Sequence, residues 1–235
     1  MRVFCFPHAG AGPSLFHSWH MPGLDIVPIG LPGRERRFSE APLRSMDALL
    51  RDIIERMEPM LDEPFSIMGH SMGALLAFEL ARSLRSRGLA QPERIFVSAF
   101  RAPHLPERRP PLYKLPDPVL KAELFRLDGT PAEVLRQPDL METLLPALRA
   151  DLEVVDRYRY IAEPPLACPV SCFGGLTDRR VTRPDLTGWR RHTSADFRLR
   201  LFPGAHFYLY KTPVLVQRAI CVDLGLAVPN AVKVC

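Results

Sequence analysis

The sequence predicts an α/β fold in which a mostly parallel sheet carries helices on both faces and a helical lid is inserted. Short apolar runs alternate with longer amphipathic segments, which is typical of parallel β-α-β units. A Gly-rich turn, Gly69–Gly73, joins one of these runs directly to an apolar helix. A block at about 103–162 breaks the alternation with helical segments only. We therefore expect residues 1–235 to form a single domain, with the block folded as a lid over the carboxyl edge of the sheet.

Apolar runs rich in β-branched and aromatic residues are the predicted strands. Several of them end at Pro or Gly, which punctuates the chain. Because they alternate with helices, we expect them to pair in parallel and to be covered on both sides. In chain order the runs are Val3–Phe6, Asp25–Leu31, Phe65–Met68, Arg94–Ala99, Val170–Phe173 and Phe197–Phe202.

Helical spacing of apolar residues marks the connecting segments. Residues 45–61 have one apolar face, whereas residues 74–87 are apolar most of the way round and predict a deeply buried helix ending at Gly88. The last helix is predicted at 213–224. The lid contains helical segments around 117–127, 131–136 and 138–158.

Composition and charge narrow the class of protein. The chain is 47% hydrophobic and 24% charged, which is ordinary for a soluble globular domain. Its net charge is +5, but the basic residues are scattered and form no nucleic-acid motif, so we expect a solvated basic surface. The scattered residues are Arg34, Arg36, Arg37, Arg108, Arg109, Arg179 and Arg180.

Localisation follows from what the sequence lacks. No apolar run approaches the roughly 18 residues of a membrane span, and the apolar N-terminus is too short for a signal peptide. The five cysteines are an odd number without a zinc-ligand pattern, so reduced thiols are the simplest account. We expect a cytoplasmic monomer with no membrane and no nucleic-acid partner.

The sequence Gly69-His70-Ser71-Met72-Gly73 predicts a nucleophile. It lies between a short apolar strand and a long apolar helix, which is the strand–turn–helix setting of a nucleophile elbow. Gly69 and Gly73 remove side chains that would clash in so sharp a turn. The hydroxyl of Ser71 then meets the positive end of the following helix. The alternative is an ordinary Gly-rich turn; the context favours an α/β-hydrolase fold with Ser71 as nucleophile.

A serine hydroxyl needs a histidine to take its proton, and in this fold the chain order is Ser, acid, His. His104, His192 and His206 follow Ser71. His206 comes just after the last predicted strand, at the carboxyl edge that Ser71 also occupies. His104 belongs to the start of the lid, and His192 precedes the last strand at the opposite edge. The sequence thus predicts His206 as the base.

The acid of the triad is predicted between Ser71 and His206. Asp178 follows the strand Val170–Phe173 and leaves the sheet at the same carboxyl edge. Asp185 lies a few residues further, in or before the next helix, and is the alternative. Asp196 precedes the last strand and falls at the opposite edge. We therefore expect Asp178 to hold the imidazole and stabilise its charged form.

Two backbone N–H groups are predicted to stabilise the oxyanion. One belongs to Met72, the first residue after the nucleophile. The other comes from the first Gly-rich loop, with Ala9 favoured and His8 as the alternative. We expect no metal site and no cofactor.

Several longer motifs make the chain resemble the type II thioesterases of polyketide and nonribosomal peptide biosynthesis. The resemblance covers nearly the whole length. The lid motifs and the Leu31–Glu35 stretch are more specific than the Gly-x-Ser-x-Gly pattern. The motifs are Phe6–Gly12, Leu31–Glu35, Gly69–Ala74, Gly129–Pro131, Leu144–Asp151 and Gly204–Phe207.

The resemblance implies a free-standing hydrolase that removes unwanted acyl groups from the phosphopantetheine arm of acyl or peptidyl carrier proteins. It also implies a triad of Ser71, Asp178 and His206. Two other enzymes stay possible, a product-releasing thioesterase and a general carboxylesterase. A non-catalytic binding protein of the same fold is the alternative from another class, although such a protein needs no intact triad.

Overall fold

The computed structural model describes residues 1–127 and 137–227. Its strands form one six-stranded sheet in the order β2-β1-β3-β4-β5-β6, and every neighbouring pair is parallel. The predicted α/β architecture is therefore confirmed. The strands are β1 (Arg2–Phe6), β2 (Asp25–Pro28), β3 (Phe65–His70), β4 (Ile95–Ser98), β5 (Val170–Gly175) and β6 (Phe197–Phe202).

Helices follow most strands, and short 3₁₀ turns fill several loops. The predicted helical segment at 131–136 lies outside the described residues. The helices are α1 (Met46–Met57), α2 (Met72–Ser86), α3 (Asp117–Leu127), α4 (Pro138–Arg157), α5 (Arg183–Thr187), α6 (Tyr208–Lys211) and α7 (Pro213–Asp223). The 3₁₀ turns are Pro13–Phe16, Glu35–Arg37, Glu58–Met60, Leu112–Lys114 and Gly188–His192.

Alternating side chains of the strands build two cores, one on each face of the sheet. In β1, Phe4 and Phe6 join the core that contains α1 and α2, whereas Val3 and Cys5 join the core that contains α7. Helix α2 is buried on nearly all sides, as its apolar sequence predicts. This double coverage explains why the strands have so few polar positions.

The strand ends differ from the sequence prediction where Pro or Gly occurs. The run Asp25–Leu31 pairs only as far as Pro28, and the N–H of Ile29 makes the last bond, 2.9 Å from the carbonyl oxygen of Cys5. The bonds to β1 come from alternate residues such as Asp25 and Ile29, so the missing N–H of Pro28 lies on the open side of this edge strand, where a proline is tolerated. Strand β5 instead runs on through Gly175, because its neighbour β6 pairs with it there.

The inserted block packs over the carboxyl edge of the sheet. Helices α3 and α4 share an apolar cluster of their own, which also contacts Ala9 in the loop that follows β1. A Cβ added at Gly10 would lie 3.0 Å from Leu148 of α4, so helix and loop are in direct contact. The cluster consists of Leu120, Leu124, Met141, Leu145, Leu148 and Leu152.

Two further observations concern the helices and the cysteines. Within residues 1–127 and 137–227, no helix combines the length and the apolar character that crossing a bilayer requires. Four cysteines are buried free thiols, and Cys235 lies outside the described residues. The four are Cys5, Cys168, Cys172 and Cys221.

Candidate active site

Ser71 occupies a strained turn between β3 and α2. Its backbone has φ 55° and ψ −117°, a conformation that non-glycine residues rarely adopt. Its N–H donates to the carbonyl oxygen of Ser98, 2.7 Å away, which fixes the turn against β4. A Cβ at Gly69 would lie 1.9 Å from the carbonyl oxygen of Gly73, and one at Gly73 would lie 2.2 Å from that of Phe6. Both glycines are therefore required for the turn, as the sequence indicates.

The structure brings Ser71, Asp178 and His206 into one hydrogen-bonded line. The Nε2 atom of His206 lies 3.2 Å from the Oγ of Ser71, and its Nδ1 lies 2.8 Å from Oδ2 of Asp178. Asp178 follows β5 and His206 follows β6, so parallel strands bring both to the carboxyl edge. The two loops are joined because the N–H of Thr177 donates to the carbonyl oxygen of Gly204.

The surroundings set the charge of the two titratable members. Burial opposes ionisation of Asp178, but the hydrogen bond from His206 and the N–H groups of Arg180 and Val181 outweigh it, so its pKa lies below the ordinary value. Burial lowers the pKa of His206, and the nearby carboxylate of Asp178 offsets this only in part. An ionised carboxylate beside a neutral imidazole is the state that a general base requires.

The predicted oxyanion donors line the same cleft as Ser71. Met72 is the first residue of α2, where N–H groups have no partner within the helix. Within the described part of the chain, the N–H of Ala9 donates to no other group. The ring of His8 is held between the Tyr210 hydroxyl, 2.5 Å from Nε2, and the carbonyl oxygen of Ala9, 2.9 Å from Nδ1. Burial lowers the pKa of His8 to about 4, so this ring is neutral.

The histidines set aside on sequence grounds lie elsewhere. Nδ1 of His104 is 2.8 Å from Nε2 of His192, so these two rings bond to each other. The alternative acid, Asp185, caps α5 by accepting from the N–H and hydroxyl of Thr182. Asp196 pairs with Arg94 and lies before β6, at the opposite edge. The geometry therefore assigns none of them to the line that contains Ser71.

A cleft opens between the lid and the carboxyl edge, with Ser71 and His206 in its wall. It encloses roughly 950 Å³ when its open mouth is included. Apolar lid side chains form much of the lining. They are Leu112, Leu124, Leu148, Leu152 and Val155.

The expectation that the basic residues form a solvated surface is wrong for Arg34, which is buried, whereas Arg108, Arg109 and Arg179 are exposed. Arg109 and Arg180 line the cleft together with Arg101, and Arg34 is only 5% exposed. The scattered positions in sequence converge because the loops that carry them leave neighbouring strands or belong to the lid. The position of Arg180 at the cleft could have been predicted from the sequence, because it follows Asp178 by two residues and must lie at the same edge of the sheet.

Two motifs that are far apart in sequence meet in a buried ion pair. Arg34 donates to both carboxylate oxygens of Asp151, at 2.5 and 2.8 Å, and Asp151 is 0% exposed. Asp151 also accepts the N–H of Gly10 at 2.7 Å, and Arg34 donates to the carbonyl oxygen of Ala11. Helix α4 of the lid is thus tied to the loop that carries Ala9. Sequence reasoning missed this contact.

The comparisons with known proteins agree with this geometry. The thioesterase domain model matches residues 1–220. The gramicidin S biosynthesis protein GrsT of Aneurinibacillus migulanus is 39% identical, over 96% of this chain and 90% of its own. The solved structure of RedJ, a thioesterase from the prodiginine pathway of Streptomyces coelicolor, is 36% identical and has a TM-score of 0.87, covering 95% of this chain and 84% of that one.

A third comparison is with a solved type II thioesterase. BorB, from the borrelidin biosynthetic cluster, is 32% identical with a TM-score of 0.85, covering 97% of this chain and 92% of its own. The family match and these relatives extend over nearly the whole chain, including the strand–turn–helix at Ser71. The chain therefore belongs to the thioesterase family and is a serine hydrolase of the α/β-hydrolase fold.

Proposed function

We propose that this enzyme hydrolyses short acyl thioesters on the phosphopantetheine arms of acyl or peptidyl carrier proteins, and so clears polyketide or nonribosomal peptide synthases of misplaced acyl groups. It acts as a cytoplasmic monomer. The observation that carries the proposal is the line Asp178–His206–Ser71 at the wall of a lid-covered cleft. The four buried free thiols are in keeping with a reducing compartment.

The proposed reaction begins with proton transfer from the Ser71 hydroxyl to Nε2 of His206, while Oγ attacks the thioester carbonyl carbon. The N–H groups of Ala9 and Met72 stabilise the resulting oxyanion. The C–S bond then breaks, and the leaving thiolate takes the proton from His206 and departs as the thiol. Water hydrolyses the acyl-serine by the same steps, with His206 again as base. Asp178 stabilises the imidazolium each time; the arm belongs to the substrate, and no further cofactor is required.

The lining of the cleft suits short, apolar acyl groups. Leu124, Leu148 and Leu152 of the lid line the same space as Ser71 and His206. A chain of a few carbon atoms fits this space between the leucines of the lid. A long peptide or a macrocycle would require the lid to move. This supports removal of small acyl groups over release of a finished product.

The relatives place the proposal in a biosynthetic setting. GrsT is named for gramicidin S biosynthesis, RedJ for the prodiginine pathway and BorB for the borrelidin cluster. By similarity, we infer that this chain serves a synthase of the same general kind, whose intermediates are held as thioesters on carrier proteins.

The pH dependence of kcat/KM tests the role of His206. Its imidazole must be neutral to accept a proton, and burial lowers its pKa below the ordinary 6.5, with Arg180 and Arg109 adding to this effect and Asp178 opposing it. Activity is therefore lost only as the pH falls through the lowered pKa. We expect the acidic limb of kcat/KM to have its midpoint below pH 6.5 and the profile to be flat from there to pH 8. A midpoint above pH 7 would contradict this assignment.

Substrate preference tests the proposed function itself. The same butyryl group is presented on a carrier protein and as a simple ethyl ester, and kcat/KM is measured for both. We expect the carrier thioester to be hydrolysed at least about tenfold more efficiently, because arm and carrier add binding energy that the ester lacks. Preference for the ethyl ester would instead indicate a general carboxylesterase. Preference for a long peptidyl thioester over butyryl would indicate a product-releasing enzyme.

A further inference from the structure

One side of the cleft is positively charged, which the proposed hydrolysis of a neutral acyl group does not explain. Arg101, Arg109 and Arg180 line it, and we call these three side chains the arginine wall. Two carboxylates, Glu107 and Asp156, line the same cleft. Among the described residues that line the cleft, three arginines therefore face two carboxylates.

Glu107 is shared between two members of the arginine wall. Its Oε2 lies 3.4 Å from Nη2 of Arg101, and its Oε1 lies 3.7 Å from Nε of Arg109. The same Oε1 accepts N–H bonds from the backbone of Arg108 and Arg109. Because this carboxylate already accepts two backbone N–H bonds, it cannot also pair fully with two guanidinium groups.

Asp156 has other partners as well. Its Oδ2 accepts the backbone N–H of Tyr113 at 3.1 Å, and burial raises its pKa above the ordinary value. Within the described parts of the chain, the side chain of Arg180 forms neither an ion pair nor a hydrogen bond. Burial and the charge of Arg109 lower the pKa of Arg180 to about 10, so it stays charged at neutral pH. Arg180 is therefore a charged side chain with no direct partner among the described residues, although the carboxylates of Asp178, Glu107 and Glu123 attract it at longer range.

Arg101 supplies a second, independent sign of a missing ligand. Its Nε and Nη1 atoms are buried and have no hydrogen-bond partner among the described residues. Buried donors of this kind are rare in folded proteins, and a bound acceptor is one way to satisfy them. Arg180 and Arg109 are also close enough to His206 to disfavour its charged form. Arg101 itself lines the same cleft as Ser71 and His206, so its unsatisfied donors lie in the cleft that contains the triad.

We propose that the arginine wall is an anion site, which binds a carboxylate or phosphate oxygen of the substrate in the same cleft as the reacting thioester. The inference rests on the proposed function, because it assigns a further part of the same substrate. Guanidinium groups suit this task since their N–H donors match the planar oxygens of a carboxylate and those of a phosphate. The anion has two possible sources, a carboxyl group on the acyl chain, as in malonyl, or the phosphate of the phosphopantetheine arm.

The test compares matched substrate pairs in wild type, Arg180→Gln and Arg179→Gln. One pair is malonyl and 3-methylbutanoyl on N-acetylcysteamine, which differ by a carboxylate in place of an isopropyl group. The other pair is butyryl-phosphopantetheine and butyryl-pantetheine, which differ by the phosphate. Arg179 is the matched control, because it is the exposed neighbour of Arg180 and does not line the cleft. The readout is the ratio of kcat/KM within each pair, which cancels the folded fraction and any shift of the triad.

We expect Arg180→Gln to lower the ratio for at least one pair about tenfold, as loss of one charge-assisted hydrogen bond does, and Arg179→Gln to leave both ratios unchanged. The pair that responds identifies the source of the anion. If neither ratio changes in Arg180→Gln, or if both variants change it equally, the anion site is refuted.

A failure of the proposed function would give a different result, because the wild-type enzyme would then hydrolyse no member of either substrate pair. Binding of malonate and of phosphopantetheine is then measured by calorimetry in the same three proteins. Weaker binding in Arg180→Gln alone would support the anion site without any hydrolysis. Equal binding in all three proteins would refute it.

Discussion

Replacing Ser71 with alanine is expected to lower kcat/KM for a butyryl-carrier thioester by at least about 10⁴-fold, as removal of a triad nucleophile does in serine hydrolases. The substitution removes one oxygen atom from a turn whose geometry depends on Gly69 and Gly73. The cleft, the predicted oxyanion donors and His206 all stay in place. Folding should therefore be unaffected, and substrate should still bind with a similar KM. The measurement is thioester hydrolysis followed by release of the free thiol.

The control for this variant is Ser86→Ala. Ser86 is an exposed serine at the end of the same helix, and its hydroxyl only contacts the carbonyl oxygen of Ser83. We expect its rate to equal that of wild type. A wild-type rate in Ser71→Ala would mean that another group attacks the substrate. The described cysteines are poor candidates for that role, because burial raises the pKa of Cys5 and Cys172 and keeps both as thiols.

Replacing Asp151 with asparagine is expected to lower the free energy of unfolding by about 3–5 kcal/mol. The change keeps the shape of the side chain but leaves the guanidinium of Arg34 buried without a counter-charge. Burial of an unpaired charge is among the most costly changes a core can receive. Urea denaturation at neutral pH measures the loss. The control is Glu153→Gln on the same helix, whose partners Arg44 and Arg157 are exposed, and we expect it to cost less than about 1 kcal/mol.

The same substitution is expected to reduce catalysis in the protein that still folds. Asp151 accepts the N–H of Gly10, and Gly10 follows Ala9, the predicted oxyanion donor. Loosening this loop weakens stabilisation of the transition state more than binding of the ground state, so kcat should fall while KM changes little. The double variant Arg34→Met with Asp151→Leu should recover part of the stability, because it removes both charges. Full activity in Asp151→Asn would refute the expectation that the contact between α4 and the loop carrying Ala9 supports catalysis.

Most of the fold and the three residues of the hydrogen-bonded line could be predicted because local patterns determine them. Alternating elements imply a parallel sheet, and in such a sheet every loop that follows a strand reaches the same edge. Asp178 and His206 each follow a strand, so we expect both near Ser71 even when the order of the strands in the sheet is unknown. Their catalytic roles stay a prediction until the variants are measured.

The remaining features depend on contacts between residues far apart in the chain, which one sequence does not encode visibly. Arg34 and Asp151 are separated by 117 positions, and each alone resembles an ordinary surface charge. Arg101 lies in a loop with no motif, and its unsatisfied donors appear only once the lid is folded.

Covalent labelling of the native enzyme tests the central claim most directly. The protein is treated with a fluorophosphonate, which reacts with activated serines, and the adduct is mapped by peptide mass spectrometry with and without excess butyryl-carrier protein. We predict a single adduct on Ser71, formed slowly or not at all when the carrier thioester competes for the cleft. An adduct on another residue, no adduct, or labelling that the carrier thioester does not slow would contradict the assignment of Ser71 as the nucleophile of a carrier-protein thioesterase.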